Sequence, residues 1–106
     1  MKALEKMSME LSVLYGALLD RIILYGSYAR MEETPESDVD IAILLRNGST
    51  EKMHDDMIDI VVDYELELGL VLSVVPIDYQ NYSMWKKVLP YYKKINGEGI
   101  LLWKAA

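Results

Sequence analysis

Two apolar stretches joined by a polar loop constrain the fold of this chain more than any other part of its sequence. The first stretch, Ile22–Tyr25, ends at Gly26-Ser27, and the second, Val39–Leu45, begins beside Asp38 and includes Asp40. Short apolar runs bounded by turn residues are typical of buried strands. The pattern predicts two strands of one sheet, with a small-residue turn after the first strand and two carboxylates at the start of the second.

The rest of the chain predicts helices that alternate with short strands. Apolar residues recur at three- and four-residue spacing over residues 2–19 and from Met53 to Leu68, where Gly69 ends the second helix. The type of Ile100–Trp103 stays open. The remaining elements are a helical turn over 27–31, a strand at Leu70–Val75, a helix over 79–88 capped by Asp78, and a helix from Pro90 to Asn96-Gly97. This order predicts an α/β (α+β) fold in which helices pack on a small mixed sheet, as one domain over residues 1–106.

Charge and composition narrow the kinds of partner. The net charge is −6, with 17 acidic and 11 basic residues, and the basic residues look scattered, so we expect no nucleic-acid partner. There is no cysteine, which excludes disulfides and thiolate metal sites. The apolar runs are too short to cross a bilayer and the N-terminal residues lack a signal peptide, so we expect a cytoplasmic protein without a membrane partner. The acidic balance favours a protein partner, or a small ligand whose charge a metal offsets.

The turn after the first strand is suited to holding an anion. Gly26 lets the backbone come close to a phosphate, and the Ser27 hydroxyl is a further donor. Backbone N–H groups without partners, where a strand leads into a helical turn, complete such a site. Arg30 could point back at the same anion. Three nearby carboxylates could pair with Arg30 instead: Glu32, Glu33 and Glu36.

The two aspartates are suited to holding a divalent metal. Because side chains alternate along a strand, Asp38 and Asp40 should lie on one face, where carboxylates repel each other unless a cation lies between them. Mg²⁺ fits this arrangement, since it binds through one or two carboxylates together with substrate phosphates. The alternative is that Ser37 or Asp38 caps a turn and that Asp40 is a surface charge.

Gly26-Ser27, followed after ten residues by Asp38-x-Asp40, resembles the signature of the DNA polymerase β-like nucleotidyltransferase superfamily. The flanking residues and the tail from Pro90 to Ile100 look like its minimal nucleotidyltransferase (MNT) branch. The resemblance implies that Gly26 and Ser27 hold a nucleoside triphosphate, with ATP as the expected one, and that Asp38 and Asp40 bind Mg²⁺. It further implies transfer of AMP to a hydroxyl of a partner protein. In this family the chain would be the antitoxin of a HEPN-domain protein, in a homo- or hetero-oligomer.

Two positions depart from the family pattern. Active members usually carry a third carboxylate on a neighbouring strand, whereas the strand expected here has Ser73 between Val71 and Val75 on one face and no acidic residue. One of these three residues then fills the third position, and Ser73 is the polar one. Met31 replaces a glycine common after the arginine, which predicts that this residue avoids a positive φ and that the loop follows another path. The missing carboxylate leaves open a second hypothesis, a weak or inactive module that neutralises a HEPN partner by binding alone.

Several further residues are interpreted as structural. His54 has no evident metal partners and is expected at the surface, and Asp59 and Asp63 belong to the solvated face of the second helix. Asp78 is expected to cap a helix. Four aromatic residues gather near the C-terminal end, where a small core cannot bury them all and a partner surface is favoured: Trp85, Tyr91, Tyr92 and Trp103.

Overall fold

The computed structural model describes residues 2–106, and their elements follow the predicted order closely. Along the chain these are α1 (Lys2–Tyr15), β1 (Leu19–Tyr25), β2 (Val39–Leu45), α2 (Glu51–Leu68), β3 (Leu72–Asp78), α3 (Tyr79–Trp85), α4 (Pro90–Glu98) and β4 (Ile100–Lys104). Residues 16–18 form a single 3₁₀ turn. Within residues 2–106, no helix has the length and apolarity needed to cross a membrane.

The four strands form one mixed sheet in the order β3-β2-β1-β4. β1 is antiparallel to both β2 and β4, whereas β2 and β3 run parallel. Because β1 and β2 are consecutive and antiparallel, the end of β1 lies beside the start of β2. Because β3 runs parallel to β2, the starts of these two strands also lie side by side. One edge of the sheet therefore collects the end of β1 and the beginnings of β2 and β3.

Helices cover both faces of the sheet. α1 and α2 pack on one face, over a core built from alternate residues of the two central strands, including Ile22, Leu24, Ile41 and Ile43. α3 and α4 pack on the other face over the intervening residues, with Ile23, Tyr25, Ala42 and Leu44 from the sheet and Tyr82 and Ile95 from the helices. Asp40 lies two and four residues before Ala42 and Leu44 on β2, so its side chain points to the same face as theirs. Its side chain therefore lies on the α4 face, at the edge where three strand ends meet.

Glycine, proline and capping residues explain most element boundaries. Thr50 caps α2 by accepting from the Met53 N–H, and Gly69 ends it with a φ of 67°. Asp78 caps α3 by accepting from the Asn81 N–H, as predicted. Pro90 starts α4, also as predicted.

Several predicted boundaries were wrong by a few residues. α1 ends at Tyr15 instead of continuing to 19, because Gly16 takes a φ of 57°. β3 runs over Leu72–Asp78 instead of 70–75, and includes Pro76, which is tolerated because β3 is an edge strand. α3 ends at Trp85, and α4 continues to Glu98. The C-terminal stretch of open type is the edge strand β4.

Candidate functional site

The strand register brings the predicted site residues of three strands to one place. Tyr25, immediately before Gly26, pairs with Asp40, and Asp40 pairs in turn with Ser73. Paired residues point to the same face of a sheet. Ser73 is therefore the residue of β3 that lies beside Asp40, in the position where a third carboxylate was expected. Val71 precedes the strand, and Val75 lies farther along it beside Ala42.

Gly26 is in direct contact with Asp40. Its φ is 76°, a left-handed conformation that favours glycine, and the residue is buried. A Cβ atom at this position would lie 2.3 Å from Asp40 Oδ2. The missing side chain thus leaves room for the carboxylate of Asp40 against the backbone of the turn.

Residues 26–32 form a compact turn closed by hydrogen bonds of its own backbone. The Arg30 N–H donates to the Gly26 carbonyl at 3.1 Å, and the Glu32 N–H donates to the Ser27 carbonyl at 2.9 Å. In the part of the chain that the structure describes, the N–H groups of Ser27, Tyr28 and Ala29 have no protein acceptor. Three consecutive free N–H groups beside a serine hydroxyl suit a phosphate. The turn predicted over 27–31 is therefore present.

Met31 adopts the conformation that its side chain was expected to prevent. Its φ is 58°, so the prediction of a different loop path at this residue was wrong. The side chain is 86% exposed, which leaves it free of clashes. The conformation costs about 1 kcal/mol for a residue other than glycine. The hydrogen bonds across the turn offset this cost, and the loop keeps the path that a glycine would take.

Asp38 and Asp40 lie close enough to repel each other. Burial raises the pKa of the Asp40 carboxyl, and the negative charge of Asp38 raises it further, while Lys94 and Arg30 act in the opposite direction. Both aspartates precede or open β2, which places them at the same sheet edge. Such a pair is stabilised by a cation between its members. The contact with Gly26 and the charge of Asp38 therefore place the Asp40 carboxylate where a divalent cation would relieve the repulsion.

A third carboxylate does not join this pair. Among residues 2–106, no group of three or more histidine, cysteine, aspartate or glutamate side chains is placed to share one metal ion. Ser73 supplies a hydroxyl at the third position instead. Two carboxylates and one hydroxyl would bind a divalent metal more weakly than three carboxylates.

Two residues of α4, unassigned in the sequence, approach the site. Glu98 Oε1 accepts from the Gly26 N–H at 3.1 Å and from Arg30 Nη1 at 2.9 Å, and Arg30 Nε also donates to Glu32 at 3.0 Å. Pairing of Arg30 with Glu32 had been foreseen, but pairing with Glu98 had not. Lys94 lies one turn before Glu98 and acts on the charge of Asp40. In the sequence, Glu98 is marked only by the glycine that follows it. Because 72 residues separate Glu98 from Gly26, no local pattern predicts their contact.

Tyrosines join α4 to the end of β1. The hydroxyls of Tyr25 and Tyr91 are hydrogen-bonded at 2.7 Å, and their rings meet edge to face. Burial, and then this hydrogen bond, raise the pKa of Tyr25, so the hydroxyl stays protonated at neutral pH. Tyr28, which follows Ser27, packs against the core under α1. The tyrosines around the site therefore hold the turn and α4 in place.

The sequence matches a known family model and two curated relatives. The model for the nucleotidyltransferase domain matches residues 4–96. "Putative protein adenylyltransferase MJ0141" of Methanocaldococcus jannaschii is 39% identical over 71 residues, which are 67% of this chain and 70% of that protein. "Putative protein adenylyltransferase MJ0604" of the same organism is 35% identical over 74 residues, 70% of this chain and 69% of that protein.

Solved structures show the same fold at low identity. A chain of a toxin–antitoxin crystallised with AMP-PNP superposes with a TM-score of 0.61 at 18% identity, over 95% of this chain and 73% of that one. A chain of the complex between tri-AMPylated Shewanella oneidensis HEPN toxin and MNT antitoxin gives 0.56 at 17% identity, over 98% and 72%. The predicted fold and enzyme class are confirmed. This chain belongs to the nucleotidyltransferase domain family.

Proposed function

We propose that this chain transfers AMP from ATP to a hydroxyl group of a partner protein. The observation that carries this proposal is the contact of the Gly26 turn with Asp40, beside Asp38 and Ser73, at one edge of the sheet. A phosphate-binding turn and a pair of carboxylates are thereby within reach of the same triphosphate. The curated relatives bear the name of protein adenylyltransferases, which supports AMP as the transferred group.

The turn would bind the phosphates of the nucleotide. The N–H groups of residues 27–29 are donors with fixed directions, because the backbone of the turn is held by its own hydrogen bonds. The Ser27 hydroxyl adds a donor that rotates to suit its acceptor. Arg30 would add a positive charge at the rim. Preorganised donors of this kind stabilise charge that develops on phosphate oxygens during transfer.

Asp38 and Asp40 would hold Mg²⁺ together with the phosphates. Bound there, Mg²⁺ would neutralise part of the phosphate charge and polarise the reacting phosphoryl group. Asp40 is fixed by the register of β2 and by its contact with Gly26, while Asp38 is exposed and lies just before the strand. The protein would contribute two carboxylates in a set position, with the Ser73 hydroxyl beside Asp40 as a further polar group.

The acceptor would come from a partner protein that docks beside α4. Four of the 11 basic residues lie at 86, 87, 93 and 94, and no acidic residue lies between Asp78 and Glu98. The basic residues had looked scattered along the sequence, but these four are concentrated in one segment. Among the described residues none of these four lysines forms an ion pair. Trp85, which precedes the first lysine pair, is 40% exposed, and Tyr91, which lies between the two pairs, is 43% exposed, whereas Trp103 packs on the core. This basic and apolar surface fits an acidic partner, and the structural neighbours point to a HEPN-domain protein.

The test is transfer of label to the partner. The purified chain is incubated with the HEPN-domain protein of a neighbouring reading frame, Mg²⁺ and ATP labelled on the α-phosphate. We expect label on the partner, lost with Asp38→Asn and kept with Asp63→Asn. The control removes the same charge from an exposed residue of α2 that forms no ion pair in the described part of the chain. If the partner is neutralised without label, and equally by Asp38→Asn, the enzyme proposal fails. The second hypothesis, neutralisation by binding alone, which Ser73 at the third position favours, then stands.

Ser73→Asp should strengthen the metal site. The substitution would place a third carboxylate beside Asp40. We expect the affinity for Mg²⁺ in the presence of a non-hydrolysable ATP analogue to rise by about tenfold, since ligand charge sets the affinity of such sites. Calorimetric titration checks this. The control is Val75→Asp, which places the same charge two residues farther along β3, beside Ala42. An affinity that rises equally in both variants would show that general charge, and not the third position, is responsible.

A further inference from the structure

Glu98 accepts hydrogen bonds from two donors of the turn, one from its backbone and one from its arginine. Its Oε1 atom accepts from the Gly26 N–H at 3.1 Å and from Arg30 Nη1 at 2.9 Å. A carboxylate oxygen held by a backbone N–H and a guanidinium has the environment that a phosphate oxygen would have. The side chain of Glu98 is only 23% exposed. The Glu98 carboxylate is therefore held in a mostly buried contact, although 72 residues separate Glu98 from Gly26 along the chain.

The end of α4 is built to bring Glu98 to this position. The Gly99 N–H donates to the Ile95 carbonyl at 3.0 Å and closes the last turn of the helix. A Cβ atom on Gly99 would lie 2.3 Å from the Ile95 carbonyl oxygen and 2.4 Å from Ile23 Cγ2. The absence of a side chain thus lets the helix end lie directly against β1, one residue after Glu98. Close packing of the backbone, and not the glutamate alone, sets the contact.

Glu98 does not act as the third carboxylate of the metal site. Among residues 2–106, neither Glu98 nor any other metal-binding side chain lies close enough to Asp38 and Asp40 to share one ion with them. The charges that act on Asp40 are those of Asp38, Lys94 and Arg30. Glu98 thus faces the donors of the turn and leaves the two aspartates to the metal.

We propose that Glu98 is an affinity-setting residue that competes with nucleotide phosphate for the Gly26 N–H and Arg30. The inference rests on the proposed function, since it takes a nucleoside triphosphate as the competing anion. Binding of the triphosphate displaces the carboxylate, which costs part of the binding free energy and weakens the apparent affinity.

The test compares nucleotide affinity in three variants. The probe is a non-hydrolysable ATP analogue with Mg²⁺, measured by isothermal titration calorimetry. For Glu98→Gln we expect binding about five- to tenfold tighter than in the unaltered chain. Glu98→Asp keeps the charge but withdraws the carboxylate by one methylene, and should also bind more tightly. Glu36→Gln removes a charge from the exposed loop away from both donors, and should change the affinity less than about twofold.

The possible results separate this inference from the proposed function. If the unaltered chain binds the analogue and neither Glu98 variant binds it more tightly, Glu98 braces the turn and the inference is wrong. If Glu36→Gln gains as much as Glu98→Gln, net charge explains the effect and the inference is again wrong. If no variant, including the unaltered chain, binds the analogue, the proposed function fails and the inference fails with it. Chemical shifts of the Gly26 amide give a second readout: the Glu98 variants should shift it without nucleotide, whereas Glu36→Gln should not.

Discussion

Asp40→Asn should make this protein more stable and, at the same time, remove its Mg²⁺-dependent affinity for ATP. Burial and the nearby Asp38 charge raise the pKa of Asp40, so its ionised form is held at a cost in the folded chain. The amide carries no charge and relieves this cost. We expect the free energy of unfolding at pH 7 to rise by a few tenths to about 1 kcal/mol. The Mg²⁺-dependent affinity for ATP should fall at least about 100-fold, because the carboxylate is a direct metal ligand in the proposed site.

The raised pKa of Asp40 determines how the stability gained by Asp40→Asn changes with pH. A group whose pKa is raised on folding gives the protein stability at low pH that is lost as the pH rises through the pKa of the folded state. The advantage of Asp40→Asn is therefore largest at neutral pH and disappears on acidification, when Asp40 itself is protonated. Urea denaturation at several pH values and calorimetric titration with MgATP measure the two effects. A variant that is less stable at pH 7, or that binds MgATP as tightly as before, would contradict the assignment of Asp40.

The strands that carry the site could be predicted from local sequence alone. β2 was expected and found at Val39–Leu45, because a short apolar run that follows a polar loop is typical of a buried strand. β1 was placed within three residues of its start. α2 was readable from its periodicity and from Gly69 at its end. These features depend on residues that are neighbours in sequence, and so they leave a local signal.

The parallel pairing of β2 with β3 could not be predicted in detail. Ser73 was placed on the correct face of its strand, but its position beside Asp40 depends on the register between two strands joined by an 18-residue helix. The predicted strand ended at Val75, whereas β3 continues through Pro76, which an edge strand accepts. Both results come from the sheet as a whole. Sequence periodicity reports which face a residue occupies, and carries no information about its partner across the sheet.

The contribution of α4 to the site had no signal in the sequence except the Glu-Gly pair. Glu98 reaches the turn because the helix end lies against β1 at Gly99, and Lys94, one turn earlier, acts on the charge of Asp40. Met31 shows a different limit of local reasoning. Its preference against a positive φ is real but small, and the hydrogen bonds of the turn outweigh it. A weak local preference loses wherever several contacts specify one backbone path.

Gly26→Ala should disrupt the site more than it disrupts the fold. The residue has a φ of 76°, which costs about 1 kcal/mol for alanine. The added Cβ would also lie 2.3 Å from Asp40 Oδ2, so the Asp40 side chain must turn away from its position. A side-chain end can move more easily than backbone, so we expect stability to fall by about 1–2 kcal/mol in total. Mg²⁺-dependent binding of ATP should fall below detection in calorimetric titration, because the displaced carboxylate no longer faces the turn.

Gly69→Ala is the matched control, because it has the same backbone strain without the contact. Its φ is 67°, and a Cβ there would meet nothing within 4 Å. We expect it to lose about 1 kcal/mol of stability and to bind MgATP normally. In a background with Asp40→Ala, the cost of Gly26→Ala should shrink to that of Gly69→Ala, since the obstructed carboxylate is gone. If Gly26→Ala costs no more than Gly69→Ala in the unaltered background and still binds MgATP, then the contact between Gly26 and Asp40 does not position the metal ligand.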